Sequence, residues 1–124
     1  MNSPIRGVVV GHGRVAEALV DAAEGISGVT DALIPVSNDG CDRDRLEDRI
    51  AEAINGLPSV VFVDLPSGSC LLAALHRFRG QSDVKVVTGV NLAMLLDFLF
   101  HRELPLHDVA EHVVGKGCGA IRVT

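Results

Sequence analysis

Tryptophan and tyrosine are absent from the 124-residue sequence, and only four phenylalanines supply aromatic rings. Phe62, Phe78, Phe98 and Phe100 all lie in apolar runs that read as core, so no ring is left to stack on an exposed base. An excess of basic residues is missing too: 11 Lys and Arg stand against 16 Asp and Glu, a formal charge of −5. Phosphate contacts need clustered cations, which argues against nucleic acid as a partner. No apolar stretch approaches the roughly 20 residues that a membrane-spanning helix needs. The longest, Leu92 to Phe100, is broken by Asp97, so no membrane insertion is expected. The N-terminus, Met-Asn-Ser-Pro-Ile-Arg, lacks a charged-then-apolar leader, and a cytoplasmic location is expected. Cys41, Cys70 and Cys118 are odd in number and widely spaced, which suits free thiols better than disulfides or a zinc site.

What is present reads as one globular domain over residues 1–124. Hydrophobic residues make up 48% and charged residues 22%, too apolar a chain for a disordered tail. Short β-branched runs alternate with helical periodicity. Val8 to Val10 predicts a buried strand ending at Gly11-His12-Gly13, and Val15, Leu19, Ala22, Ala23 and Ile26 predict a helix that Gly28 stops. Residues 29–36 predict a second strand, which Pro35 places at a sheet edge. Leu46, Ile50, Ile54 and Leu57 mark a second helix, capped by Asp42 or Asp44. Ser59 to Val63 and Val84 to Thr88 predict two more strands, with a helix through Leu71, Leu72, Leu75 and Phe78 between them. An apolar helix over about 92–101, a short helix around Leu106 to Val113 and a final short strand at Ala120 to Val123 complete the pattern. The expected fold is a doubly wound α/β sandwich with a mostly parallel sheet.

Ligands of open parallel sheets bind beyond the carboxyl ends of the strands. Here those ends bring His12, Asp64, Ser67, Ser69, Thr88 and Asn91 to one rim. His12 lies between two glycines, which let the backbone turn and leave the imidazole uncrowded. It also precedes a helix whose first N–H groups and dipole favour an anion by about 0.3–1 kcal/mol. That placement suits a phosphoryl acceptor, although a histidine there can equally serve as a helix cap. Asp64 can fix the ring tautomer by binding one imidazole nitrogen, or cap the turn that follows. Ser67 and Ser69 can cap the third helix or donate to phosphoryl oxygens.

The other histidines carry less. His76 falls beside Arg77 on a solvent-facing helix position. His107 and His112 are five apart on one helix and do not share a face, so no metal site is expected with His101. Cys70 reads as a small buried thiol. The alternating charges of Asp42 to Arg49 read as a solvated helix face. Neither a Walker loop nor a G-x-G-x-x-G follows the first strand, and no nucleotide or other cofactor is implied.

At these residues the chain resembles the mannose-type enzyme IIA domains of the bacterial phosphoenolpyruvate-dependent sugar phosphotransferase system. Val-Val-Val-Gly-His-Gly (8–13) is similar to the family's strand ending in Ser-His-Gly, and Val-Asp-Leu-Pro-Ser-Gly-Ser (63–69) to its Asp-Leu-Phe-Gly-Gly-Ser loop. The most specific match is Val-Thr-Gly-Val-Asn-Leu-Ala-Met-Leu-Leu-Asp (87–97), and Gly-Lys-Gly-Cys-Gly-Ala-Ile (115–121) resembles the family's ending. The resemblance implies that His12 takes a phosphoryl group from the phosphocarrier HPr and passes it to an enzyme IIB histidine. It further implies that Asp64 orients the ring and that Gly13, Ser67 and Ser69 hold the phosphoryl group. No metal is required. The family is commonly dimeric, and residues 120–123 would be the C-terminal strand, antiparallel or exchanged with a neighbour. Gly11, Pro66, Ser67, Cys70 and Ala93 depart from the family pattern, and Pro66 and Cys70 alter the loop beside His12.

With no attached IIB, IIC or IID segment in the sequence, a stand-alone regulatory phosphoprotein is the alternative. A third reading is a tetrapyrrole metal chelatase, which also has Val-Gly-His-Gly after a strand. It needs a second metal-binding His or Glu on the rim.

Overall fold

The computed structural model describes residues 4–124 and contains a four-stranded, wholly parallel sheet and five helices. The strands are β1 (Arg6–Gly11), β2 (Leu33–Ser37), β3 (Ser59–Val63) and β4 (Val84–Thr88). The helices are α1 (Val15–Ser27), α2 (Arg43–Ile54), α3 (Ser69–Phe78), α4 (Leu92–His101) and α5 (Leu106–Gly119). Strand order is β2-β1-β3-β4. The continuous apolar runs of β1 and β3 suit the two central strands, which are covered on both faces. Pro35 lies on the edge strand β2, where its missing N–H costs no ladder bond on the open side.

Alternation along the strands divides the core in two. Val9, Val60 and Phe62 pack with α1, α4 and α5, while Val8, Val10, Val61 and Val63 pack with α2 and α3. Phe62 meets Phe98 of α4 edge-on, with ring centroids 5.3 Å apart. The first crossover moves from β1 outward to β2, and the next returns past β1 to β3. Right-handed crossovers therefore put α1 on one face and α2 and α3 on the other. The chain reverses its direction of travel between β1 and β3, and a crevice opens at the carboxyl ends of those two strands.

Three local expectations change. The second strand begins at Leu33 and not at residue 29, because Asp31 takes a positive φ of 66° that breaks the extended path. Asp42, and not Asp44, caps α2 by accepting from the Arg45 N–H at 2.8 Å. The short last helix is 14 residues long and runs through Gly115-Lys116-Gly117, where a break before a final strand was expected. Packing overrides the weak helix propensity of glycine there. A Cβ on Gly117 would lie 2.6 Å from Met94 Cε, so the Met94 side chain rests directly against this glycine where α5 meets α4. Residues 120–123 follow α5 exposed and without strand structure, so the expected final strand is not formed within this chain.

Candidate functional site

The crevice between β1 and β3 receives His12 from the end of one strand and Asp64 from the end of the other. Two backbone bonds extend the pairing past the strands: Asp64 N donates to Val10 O at 3.1 Å, and Asn38 N donates to Gly11 O at 3.2 Å. Both loops thus leave the sheet from fixed positions. Asp64 Oδ2 accepts from the His12 backbone N–H at 2.9 Å and lies 2.7 Å from His12 Nδ1. Its other oxygen accepts from Leu65 N at 2.9 Å. An ionised carboxylate only accepts, so Nδ1 carries the ring proton and Nε2 has the lone pair. Among the described residues no hydrogen bond reaches Nε2.

Burial pushes the Asp64 carboxyl up, but hydrogen bonds from the His12 ring and backbone, the ring charge and the Leu65 N–H outweigh it. The group is held below the usual carboxylate range. The Asp64 side chain is 12% exposed and the His12 side chain 41%, which puts the anchor inside and the free nitrogen at the surface.

The loop after Asp64 passes along the ring. A Cβ on Gly68 would lie 3.9 Å from His12 Cε1 and 4.0 Å from Nε2, so this backbone runs beside the free nitrogen. Gly68 has φ 92° and occupies the N-cap position of α3, with no side chain capping the helix. Ser67 and Ser69 are therefore not caps. Both are exposed on this loop, and Ser69 opens the first turn of α3.

Gly13, one of the residues expected to hold a phosphoryl group, donates its amide to Asn38 Oδ1 at 3.1 Å. Ser37 Oγ donates to the Gly13 carbonyl at 2.7 Å. Asn38 and Ser37 thus set the turn after His12, a role that the sequence reading of His12 and Asp64 did not include. A Cβ at Gly11 would lie 3.3 Å from the Ala16 backbone N and in ordinary contact with Asp64 Oδ2 at 3.5 Å, so the tight neighbour at this departure is the start of α1. Ser69 also borders a cleft of about 260 Å³ that Asn38, Arg43 and Leu72 help to line.

Thr88 and Asn91 reach the rim but do not join the pair. Asn91 caps α4, accepting from Met94 N at 3.0 Å, and donates to Gly117 O at 3.2 Å. The most specific stretch of the sequence is therefore a joint between α4 and α5. Cys70 is buried with its sulfur 3.8 Å from His12 Nδ1. Burial and the nearby Asp64 charge push its thiol up to about 11, which keeps it protonated and a poor ligand. His12, Asp64 and Cys70 are the only three metal-capable groups brought together at this rim among the described residues, and none adds a second imidazole. The chelatase reading loses its requirement.

The PTS system fructose IIA component family, the mannose-type EIIA family, matches residues 7–114. The chain belongs to this family. No curated protein matches the sequence. Among solved structures, the phosphotransferase system component EIIA from Streptococcus agalactiae has a TM-score of 0.88 at 19% identity, covering 96% of each chain. The mannose/sorbose-specific IIA subunit from Enterococcus faecalis has a TM-score of 0.85 at 20% identity, covering 98% of this chain and 96% of its own. A sigma-54 interaction domain protein from Enterococcus faecalis has a TM-score of 0.77 at 15% identity, with 98% and 96% covered. These likenesses establish that the IIA chain has the mannose-type IIA fold. No helix among the described residues is long and apolar enough to cross a membrane.

Proposed function

We propose that this IIA chain is a phosphohistidine carrier, accepting a phosphoryl group from phospho-HPr on His12 and passing it to an enzyme IIB histidine. The observation that carries the reading is the 2.7 Å bond between His12 Nδ1 and Asp64, which leaves Nε2 as the nucleophile. In the step, the Nε2 lone pair forms a bond to phosphorus as the donor histidine's P–N bond breaks. The Nδ1 proton stays on the ring, and Asp64 offsets the positive charge that develops there. The uncapped start of α3, with Ser67 and Ser69 beside it, supplies donors for the phosphoryl oxygens. Onward transfer repeats the exchange in reverse. Neither nucleotide nor metal enters this chemistry.

Incubation with phosphoenolpyruvate, enzyme I and HPr tests the proposal by intact mass. One added phosphoryl group on the wild type and none on His12→Ala is the expected result. Labelling that persists in His12→Ala overturns the assignment.

A second reading, a regulatory phosphoprotein, is favoured by the shared fold with a sigma-54 interaction domain protein. It uses the same His12 chemistry and differs in the fate of the phosphoryl group. Rapid loss to an enzyme IIB domain supports the carrier, whereas a persistent phosphoprotein supports the regulator. A homodimer is part of the proposal: the exposed Ile121 and Val123 give the C-terminal segment apolar side chains to pair with a second copy. Function in the cytoplasm accords with such partners.

A further inference from the structure

Asp97 lies in the apolar run of α4, yet its carboxylate is buried, with 6% of the side chain exposed. One turn later comes His101, the last residue of α4, and the antiparallel α5 brings His112 to the same point. His112 Nδ1 is 2.6 Å from Asp97 Oδ2, and His101 Nδ1 is 3.2 Å from Asp97 Oδ1 and 2.8 Å from the Asp97 carbonyl. The two rings lie 4.2 Å apart at their centroids, tilted by 34°. The expectation of no metal site here rested on His107 and His112 and overlooked Asp97.

The geometry points to a binding site for a divalent first-row transition metal such as Zn²⁺, formed by Asp97, His101 and His112 at the seam of α4 and α5. One donor atom from each residue lies within 4.8 Å of the others. Tetrahedral Zn²⁺ with bonds near 2.1 Å sets its ligands about 3.4 Å apart. The 3.2 Å separation runs from His101 to Oδ1 and the 2.6 Å one from His112 to Oδ2, so an ion between the rings draws on both carboxylate oxygens or on one after a turn of the carboxylate, and the shorter contact opens by less than about 1 Å, within reach of half-exposed rings.

Two imidazoles and one carboxylate are borderline ligands, which favour zinc, cobalt or nickel over calcium or magnesium. To ligate through Nδ1, each ring moves its proton to Nε2, which both half-exposed rings can do by exchange with water. His101 then gives up its bond to the Asp97 carbonyl, a group that the helical ladder of α4 already serves. A dication also answers a buried carboxylate more fully than ring N–H donors do, and the C-terminal end of α4 favours positive charge. A cleft of about 650 Å³ along His112, with Glu111, Lys116 and Arg122 on its wall, gives solvent access. The bound metal would clamp the two helices together and stabilise the fold by mass action.

The test uses the full chain after chelator treatment, titrated with Zn²⁺ by calorimetry and with Co²⁺ by visible absorption. A single site at micromolar metal, with a rise in melting temperature, is expected. His101→Ala and His112→Ala should each weaken it by about tenfold or more. His12→Ala, in a background with Cys41→Ser and Cys118→Ser, should leave it unchanged. Melting in chelator verifies that the variants fold, and His112→Gln provides a second, milder change. Absence of saturable binding, binding unaltered by both histidine variants, or binding lost with His12→Ala overturns the proposal. None of these readouts involves phosphoryl transfer.

Discussion

Asp64 and Asp97 each grip an imidazole through Nδ1, Asp64 at 2.7 Å from His12 and Asp97 at 2.6 Å from His112. The pairs are alike in bond length and differ in surroundings. Asp64 serves one ring, at the sheet's switch point and beside the first turn of α3, so the second nitrogen faces solvent where backbone N–H groups can meet an anion. Asp97 divides its oxygens between two rings in a seam between helices, next to the C-terminal end of α4. In the carrier proposed above, the first arrangement prepares a nucleophile for an anionic group. The second gathers donors that suit a cation. Chemistry is set by what lies opposite the free ring nitrogen and by which helix end is near, not by the pair itself.

The largest separation between the regions should come from paired substitutions read by phosphorylation rate. Asp64→Asn keeps the shape of the side chain but offers an amide where Nδ1 needs an acceptor, which favours the wrong tautomer. We expect the rate of phosphoryl transfer from HPr to fall on the order of 10²-fold or more. Asp97→Asn should leave that rate unchanged. Equal losses in both variants would break the functional distinction drawn here.

Stability should reverse the ranking. Asp97→Ala removes a buried carboxylate that joins α4 to α5 and leaves a cavity with two imidazoles lacking their acceptor, at a cost of about 1–3 kcal/mol in urea unfolding. Because both rings are partly exposed, water recovers some of their hydrogen bonding, so the larger penalties of breaking a fully buried ion pair do not apply. Asp64→Asn, on a loop at the rim, should cost less. The opposite order would show that the rim pair, and not the seam, braces the fold.

The contrast also explains what the sequence makes legible. β1 and β3 are buried on both faces and read as unbroken apolar runs, so the residue at the end of each run, His12 and Asp64, could be named along with the rim they share. Asn38 was hidden because an asparagine among turn formers looks the same whether it fills a loop or binds Gly13 N. The extent of α5 was hidden because three glycines argue against a helix, and the packing of α5 on α4, which no local pattern shows, outweighs that argument. At the seam, the Asp97–His101 spacing was visible, but His112 joins it through the packing of α4 on α5, and Asp97 registered only as a break in an apolar stretch.

A smaller effect probes the joint above that seam. Asn91 caps α4 and donates to Gly117 O of α5, so Asn91→Ala loses a cap and an interhelix bond together. About 1–2 kcal/mol of stability should be lost, with phosphorylation of His12 retained. A selective loss of phosphorylation in a variant that still melts like the wild type would instead move Asn91 into the site.

The smallest expected effect is in the acid limb of the stability profile, and it isolates Asp64. Its carboxyl lies below the ordinary range in the folded chain, with burial opposed and outweighed by the hydrogen bonds of His12 and Leu65. The unfolded chain therefore binds this proton at higher pH than the native one does. Stability from this group is fully present above the unfolded value of about 4 and declines as pH falls through the lowered native value. Unfolding free energy measured from about pH 6 down to pH 3 should fall more steeply in the wild type than in Asp64→Asn, which has no proton to gain. Parallel curves would mean that the His12 contacts do not favour the Asp64 anion over its acid, and the electrostatic half of the contrast with Asp97 would fail.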